Sequence, residues 1–365
     1  MAISTYQSVG TPRFWVSALQ WLYVQRFLNP IAGNDDGSYL TGKSVKKIVM
    51  VNPTCPTVLT FPVGATGAYV ITFHASHSFN FHNLMPSKNN FYMLLGHNFG
   101  SFSSGNNCSH KIQLGGGAYN QLAGNPYVNF NSSGYSPYDG FSISIGDNHN
   151  TANEPRVRFI IQDYDNSYPY EIGSILYGTY YDIEHAPNID LSMSREYNKQ
   201  VEHTGTTGQS ITNSLGTSSP NWSRLHPWQL AENDFYSYAG YRPGMSATQS
   251  GRRVWDLKFQ YLDHSSVIGA NTSLNNIRYD STDNINSEDA YSVNRFQNGL
   301  LKNYDFFSVV WHKTLGGTLP FVFQPDSNNK SPDQFAICKI KSNSLKINQT
   351  APNLYDIGLV IEEVW

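Results

Sequence analysis

The residues able to do chemistry are few and scattered. Eleven histidines, 27 Asp and Glu together and three cysteines are spread over 365 residues. The densest cluster is His74, His77 and His82, in Phe73-His74-Ala75-Ser76-His77-Ser78-Phe79-Asn80-Phe81-His82. In an extended strand His74 and His82 share a face while His77 points the other way, so the three meet on a metal only if the chain bends. The expectation is a strand and a turn, with no metal. Cys55, Cys108 and Cys338 are odd in number, far apart and in no CxxC pair, and are expected as free thiols. Asp163-Tyr164-Asp165-Asn166 sets two carboxylates one residue apart, as a calcium loop does, but without the closing glutamate. Asx hydrogen bonding in a turn accounts for it. Asp139, Asp147, Glu154, Glu171 and Glu184 are carboxylates of the kind a glycosidase pairs, yet none is singled out by a neighbour. There is no HExxH, GxSxG, P-loop or GxGxxG, and Gly115-Gly116-Gly117 lacks the Lys and Ser/Thr of a phosphate cradle. The sequence points away from an enzyme and from any cofactor.

The elements that would position these residues read as β-structure. Short apolar runs between Gly, Asn, Pro and Ser occur at Lys47–Val51, Ala68–Phe73, Phe91–Leu95, Lys111–Leu114, Gly140–Ile145, Arg156–Gln162 and Ile172–Tyr181. Seven such runs with turn signals between them predict a sandwich or jelly roll over residues 45–185. Residues 1–44 stand apart as an N-terminal arm, in which bulky side chains crowd between Pro12 and the turn cluster after Asn29. Phe14, Trp15, Trp21, Tyr23 and Phe27 would make an exposed arm a large apolar patch, so they are the predicted assembly interface, covered by a neighbour or by the chain's own body. Residues 186–250 are rich in Thr, Ser, Gly, Asn and Pro and read as a long connection. Over residues 251–365 strand patterning returns. Trp255, Leu257, Phe259 and Tyr261 alternate with Val254, Asp256, Lys258 and Gln260, the clearest half-buried strand in the chain. Val293 to Thr314 has apolar residues at helical spacing, and strands are predicted at Thr318–Phe323, Gln334–Lys341 and Tyr355–Val364. The fold class is therefore all-β, two β units with one helix in the second.

Composition limits the partners. Charged residues are 14% of the chain and its formal charge is −3, which argues against the basic footprint of a nucleic-acid binder. The missing polarity is supplied by 36 Asn and 40 Ser, and aromatic residues make up 14%. Such a surface is neutral, hydrogen-bonding and suited to contacts with other molecules. No window approaches 18 consecutive apolar residues, and Met1 to Phe14 has neither a basic nor an apolar leader region, so membrane insertion and secretion by a signal peptide are not expected.

Three sets of residues resemble structural proteins of tailed bacteriophages. They are Gly10-Thr11-Pro12-Arg13-Phe14; Leu95-Gly96-His97-Asn98-Phe99 with Glu171-Ile172-Gly173-Ser174-Ile175-Leu176-Tyr177-Gly178; and Pro320-Phe321-Val322-Phe323-Gln324-Pro325-Asp326 with Ile361-Glu362-Glu363-Val364-Trp365. The middle set is also similar to galactose-binding-like jelly rolls. The resemblance implies a tail, baseplate or fibre-attachment component made in the host cytoplasm and carried in the virion. Its partners would be copies of itself and other tail proteins. The alternative is a glycan-binding adhesin or receptor-binding module for a host-surface glycan. Where sugar-binding jelly rolls cluster Arg and aromatic residues on neighbouring loops, this chain offers Tyr119, Tyr127, Tyr135 and Tyr138. His97 and Asn98 read as turn residues bonding backbone after a buried strand.

Overall fold

The computed structural model describes residues 9–34, 39–40, 45–53, 56–59, 69–75, 81–86, 88–100, 109–114, 120–121, 126–131, 133–136, 140–146, 156–162, 170–196, 201–204, 210–213, 252–268, 300–301, 303–331, 334–342 and 344–364. Strands dominate these residues, all pairings are antiparallel, and the fold is a β-sandwich. Numbered along the chain, the large sheet holds β1 (Arg13–Ser17), β6 (Asn90–His97), β9 (Pro126–Val128), β10 (Gly140–Gly146), β13 (Ser174–Asp182), β14 (Ser192–Glu196), β17 (Arg252–Asp263), β18 (Phe321–Gln324), β19 (Ala336–Ile340), β20 (Ile347–Ala351) and β21 (Leu354–Glu363). A six-stranded sheet holds β2 (Leu28–Asn34), β3 (Tyr39–Leu40), β5 (Tyr69–Ala75), β7 (Ser109–Leu114), β8 (Asn120–Gln121) and β11 (Arg156–Gln162). Two ribbons complete the set: β4 (Thr57–Leu59) with β12 (Tyr170–Ile172), and β15 (Val201–Thr204) with β16 (Ser210–Asn213).

The segment expected as an arm is the middle of the molecule. In the large sheet the order is β14-β17-β21-β19-β18-β1-β13-β6-β10-β9, with β20 added on β21. Thus β1 pairs with β13 on one side, Phe14 opposite Tyr181, and with β18 on the other, Phe14 opposite Phe323. Strands from 1–44, 45–185, 186–250 and 251–365 all join this one sheet, so the expected boundaries separate no sheet from another. The physical reason lies in the alternation of Phe14 and Trp15, bulky residues on both faces of a strand, which only a sheet covered on both sides can bury. Ser17 then ends the strand and starts helix α1 (Ala18–Val24), its hydroxyl accepting from the Gln20 amide at 3.3 Å.

One face of the large sheet is a curled interior. Trp15, Phe91, Met93, Leu95, Val128, Phe141, Ile143, Leu176, Val322, Phe335 and Ile337 pack together there. The Phe141 ring, on β10, lies 5.4 Å from that of Phe335, next to β19. Those strands are five steps apart in the sheet, about 24 Å if it were flat at ~4.8 Å per step, so twist has rolled the sheet on itself. Over the other face, the six-stranded sheet covers the β6–β13 region, burying Tyr92, Leu94, Ile175 and Tyr177 against Ile71, Phe73, Ile112, Val157 and Phe159. Farther along that face, Phe306, Val309 and Val310 cover Phe14, Phe321, Phe323, Trp255 and Leu359. Of the helix expected over Val293–Thr314, the described residues show helical backbone at Leu300, Leu301 and Phe306 and a π-helical turn at Phe307–Trp311, with 293–299 outside them. The segment expected as a loose connection contributes β14 and the β15–β16 ribbon.

Candidate functional site

Two of the motif stretches meet in space. The Gly173 amide donates to the Leu95 carbonyl at 3.0 Å, and the Asn98 side-chain oxygen accepts from the Glu171 amide at 2.8 Å. Gly96 adopts φ +64°, and a register shift beside it pairs Gly140 with His97 but Phe141 with Leu95. This bulge matters because Leu95 faces the curled interior. One extra residue turns His97 to the opposite face, between the two sheets. A side chain at Gly96 would also press on the Pro53 carbonyl, 3.0 Å from its Cβ.

His97 there heads a buried chain of polar groups. Its Nδ1 accepts from the Phe99 amide at 3.3 Å, which leaves Nε2 to carry the proton and donate to Ser142 Oγ at 2.8 Å. Ser142 and Ser136 hydroxyls are in contact, and Ser136 Oγ lies 2.6 Å from His110 Nε2. Tyr92 Oη, 2.9 Å from His110 Nδ1, closes the series. The groups form one continuous chain from Phe99 to Tyr92, so its bonds polarise one another. Burial pushes His97 down to about 3, the Phe141 carbonyl opposing only partly; burial and the nearby His97 put His110 well below its ordinary value. Both rings are neutral. A serine against a neutral imidazole is a nucleophile's geometry, but Ser136 and Ser142 are buried and the His110 ring is packed among Phe99, Phe130 and Phe159, so the groups sit in the core. Sequence reasoning missed Ser136, Ser142 and His110. The available signal was Ser142 and Ser144 alternating with Phe141, Ile143 and Ile145, which marks a strand with a buried polar face.

A second cluster reaches the surface. Arg13 forks onto Asp182 at 2.5 and 2.6 Å, and its guanidinium lies 4.3 Å from the Tyr180 ring centre, 5.2 Å from Trp15 and 5.3 Å from Tyr127. Burial opposes the Arg13 charge, but Asp182 and the tyrosines more than restore it. The Tyr127 hydroxyl donates to the Ser327 carbonyl at 2.9 Å and accepts from Gln324 Nε2 at 3.2 Å, while Lys330 sits 4.4 Å over its ring. These bonds tie β9 to the β18 end, holding the curl shut.

The third feature is β14, at the end of the large sheet. No described strand lies beyond it, and Ser192, Met193 and Ser194 are exposed. Ile189, just before it, is fully exposed, and Met193 is 44% exposed. The remaining sheet ends are short or polar. Strands β3 and β8 have two residues each, β9 has three including Pro126, and β20 exposes only Asn348, Gln349 and Thr350.

The predicted interface residues fall elsewhere. Phe14, Trp15 and Trp21 are buried inside the chain itself, and Tyr23 and Phe27 are half-buried against the same core, so the first three offer nothing to a partner. Of the tyrosines named for glycan contact, Tyr127 joins the Arg13 stack and Tyr135 closes a turn, its amide donating to Asn131 Oδ1 at 2.9 Å. Tyr119 and Tyr138 lie outside the described residues, as do His77, the side chain of His82, Asp163–Asn166 and Trp365. Among the described residues no three His, Cys, Asp or Glu side chains could hold a metal ion, and no helix is long and apolar enough to cross a membrane. The chain matches no family model, no curated protein and no solved structure.

Proposed function

We propose that this protein is a structural component of a bacteriophage tail, assembling with copies of itself and with other tail proteins in the virion. The observation that carries the reading is the β14 edge, which has no described strand beyond it, with Ser192, Met193 and Ser194 exposed on it and Ile189 beside it. Monomeric β-proteins blunt such edges with charge, proline or cover, and among the described strands the other sheet ends are short or polar. The likeness of Gly10–Phe14, Leu95–Phe99 and Pro320–Asp326 to tail proteins supplies the setting. Sedimentation of the purified chain should give a mass above 41.0 kDa that grows with concentration, and its peptides should be found in purified virions. A monomer at every concentration, absent from particles, overturns the reading.

A glycan-binding module is the second reading, favoured by the Arg13–Tyr127–Tyr180–Lys330 cluster. A glycan array positive for the native chain and negative for Lys330→Ala would select it.

A further inference from the structure

We infer that the turn His97-Asn98-Phe99 is an acid-sensitive latch: a proton taken up by His97 opens it and loosens the β4–β12 ribbon that it holds against β6, while the rest of the large sheet stays closed. The latch works within one chain and does not depend on self-assembly.

Both nitrogens of one imidazole are committed. Nε2 of His97 donates to Ser142 Oγ, and Nδ1 accepts from the Phe99 amide. A proton on Nδ1 sets one N–H against another, so the bond that folds the turn back becomes a repulsion. The ring is fully buried, and water does not replace the lost partner. Its ionisable neighbours give no relief. Between the sheets the His110 ring of β7 lies 6.1 Å away, a second group that acid charges. Tyr92 on β6 and Tyr170 on β12 are phenols and offer no negative charge in acid. Glu171 on β12 and Lys111 on β7 alternate with buried neighbours and so face outward, Glu171 opposite the exposed Val58. The Phe141 carbonyl favours the proton, and burial outweighs it.

The same turn seats β12. Asn98 Oδ1 accepts from the Glu171 amide, and the Phe99 ring, stacked on His97 at 5.4 Å, lies 5.6 Å from that of Tyr170. Strand β12 is in turn paired with β4, Ile172 opposite Thr57. Movement of residues 97–99 therefore withdraws a hydrogen bond and an aromatic contact from the ribbon at once. At Gly173, whose amide donates to the Leu95 and Gly96 carbonyls, the chain passes into β13 and the large sheet, which confines the opening to the ribbon.

Hydrogen–deuterium exchange read by mass spectrometry tests the latch, each rate divided by the intrinsic rate at its pH. In the opened turn His97 titrates near its ordinary 6.5, against about 3 in the closed one. The open population should therefore grow about tenfold per pH unit between roughly 6.5 and 4.5. Peptides over 96–100 and 170–173 should lose protection by that factor, while those over 254–259 and 357–361 keep theirs. His97→Gln, whose side-chain oxygen can still accept from the Phe99 amide but takes up no proton, should remove the pH dependence of both sensitive peptides. Asn98→Ala keeps the imidazole and cuts its tether, so 170–173 should be less protected already at neutral pH while 96–100 keeps its acid response. Protection of 96–100 that is independent of pH overturns the latch, and so does an equal loss in all four peptides, which is global unfolding. A response at 96–100 that 170–173 does not share overturns the hold on β12, and an unchanged response in His97→Gln overturns its trigger. If that variant does not fold, exchange of the His97 Cε1 hydrogen in the unaltered chain reads the ring directly. A low midpoint supports the latch, and a midpoint near 6.5 overturns it.

Discussion

Two imidazoles with no room for a proton make the core of this protein sensitive to acid. In the unfolded chain His97 and His110 titrate near 6.5, whereas in the folded chain burial holds His97 down to about 3 and His110 well below its ordinary value. Between those values the unfolded state binds protons that the folded state refuses, so stability is full above about pH 6.5 and is lost as pH falls. The slope approaches about 1.4 kcal/mol per pH unit for each histidine. Denaturant unfolding from pH 7.5 to 4.5 measures it. Replacing His97 with Gln should remove about half the slope, whatever it does to absolute stability, and an unchanged slope would show that the ring titrates freely. Lys313 behaves in the same sense at higher pH. Burial brings its amine down to about 7, against the pull of Asp305, and Nζ donates to the Leu301 carbonyl at 3.2 Å.

At the scale of single elements, the tightest fit is between β1 and β13. A Cβ on Gly178 would collide with the Val16 carbonyl oxygen and crowd the Ser17 and Ala18 backbone. Around Gly358, on β21, a Cβ would meet nothing within 4 Å. Gly178→Ala should therefore cost about 3 kcal/mol or more by forcing β1 off its neighbour, while Gly358→Ala should cost under ~0.5 kcal/mol or stabilise. Equal effects in chemical denaturation would mean that β1 does not seat as described. The buried pair Arg253–Glu363 binds β17 to β21 in a similar way. Arg253 donates to both Glu363 oxygens at 3.0 and 2.9 Å and to the Phe335 carbonyl at 3.0 Å. Losing one member would leave an unpaired charge in the core.

For the molecule as a whole, the large sheet makes one cooperative body of what the chain order presents as two. Strand β1 lies between β13 and β18, which are about 140 residues apart in sequence. Tryptophan fluorescence and far-UV circular dichroism should accordingly report a single coincident unfolding transition. Deleting residues 1–17 should abolish protease resistance on both sides of β1. Two separated transitions, or a resistant fragment spanning 45–185 after that deletion, would show that the sheet is not continuous. The curl is closed at one end of the large sheet by Tyr127, Gln324 and Ser327, and β14 stands at the other end with no described strand beyond it.

Much of the β-structure was legible locally, because alternation along a strand is a property of neighbouring residues. The pattern at Trp255 to Tyr261 lies in β17, and that at Tyr355 to Val364 lies in β21, with Trp255, Leu257, Phe259, Ile357, Leu359 and Ile361 buried as their spacing requires; Tyr261, expected on the same face, is instead exposed, because the strand shifts register between Phe259 and Leu262 and Tyr261 takes φ +61°. The turn role read for His97 has a local basis, since its Nδ1 accepts from the Phe99 amide two residues on, whereas Asn98 binds the amide of Glu171, far along the chain. What tertiary structure alone decided was which strand lies beside which. Phe14 and Trp15 announce burial without naming the partner, and an apolar strand buried by its own chain has the same sequence as one buried by a neighbour. The His97–Ser142–Ser136–His110 chain depends on a bulge at Gly96 and on three strands and a turn meeting, and no spacing along the sequence encodes that meeting. The Arg13 stack is of the same kind, assembled from β1, β9 and β13 with Lys330 beyond β18. Side-chain type and period fix what must be buried; the curl and order of the sheet fix against what.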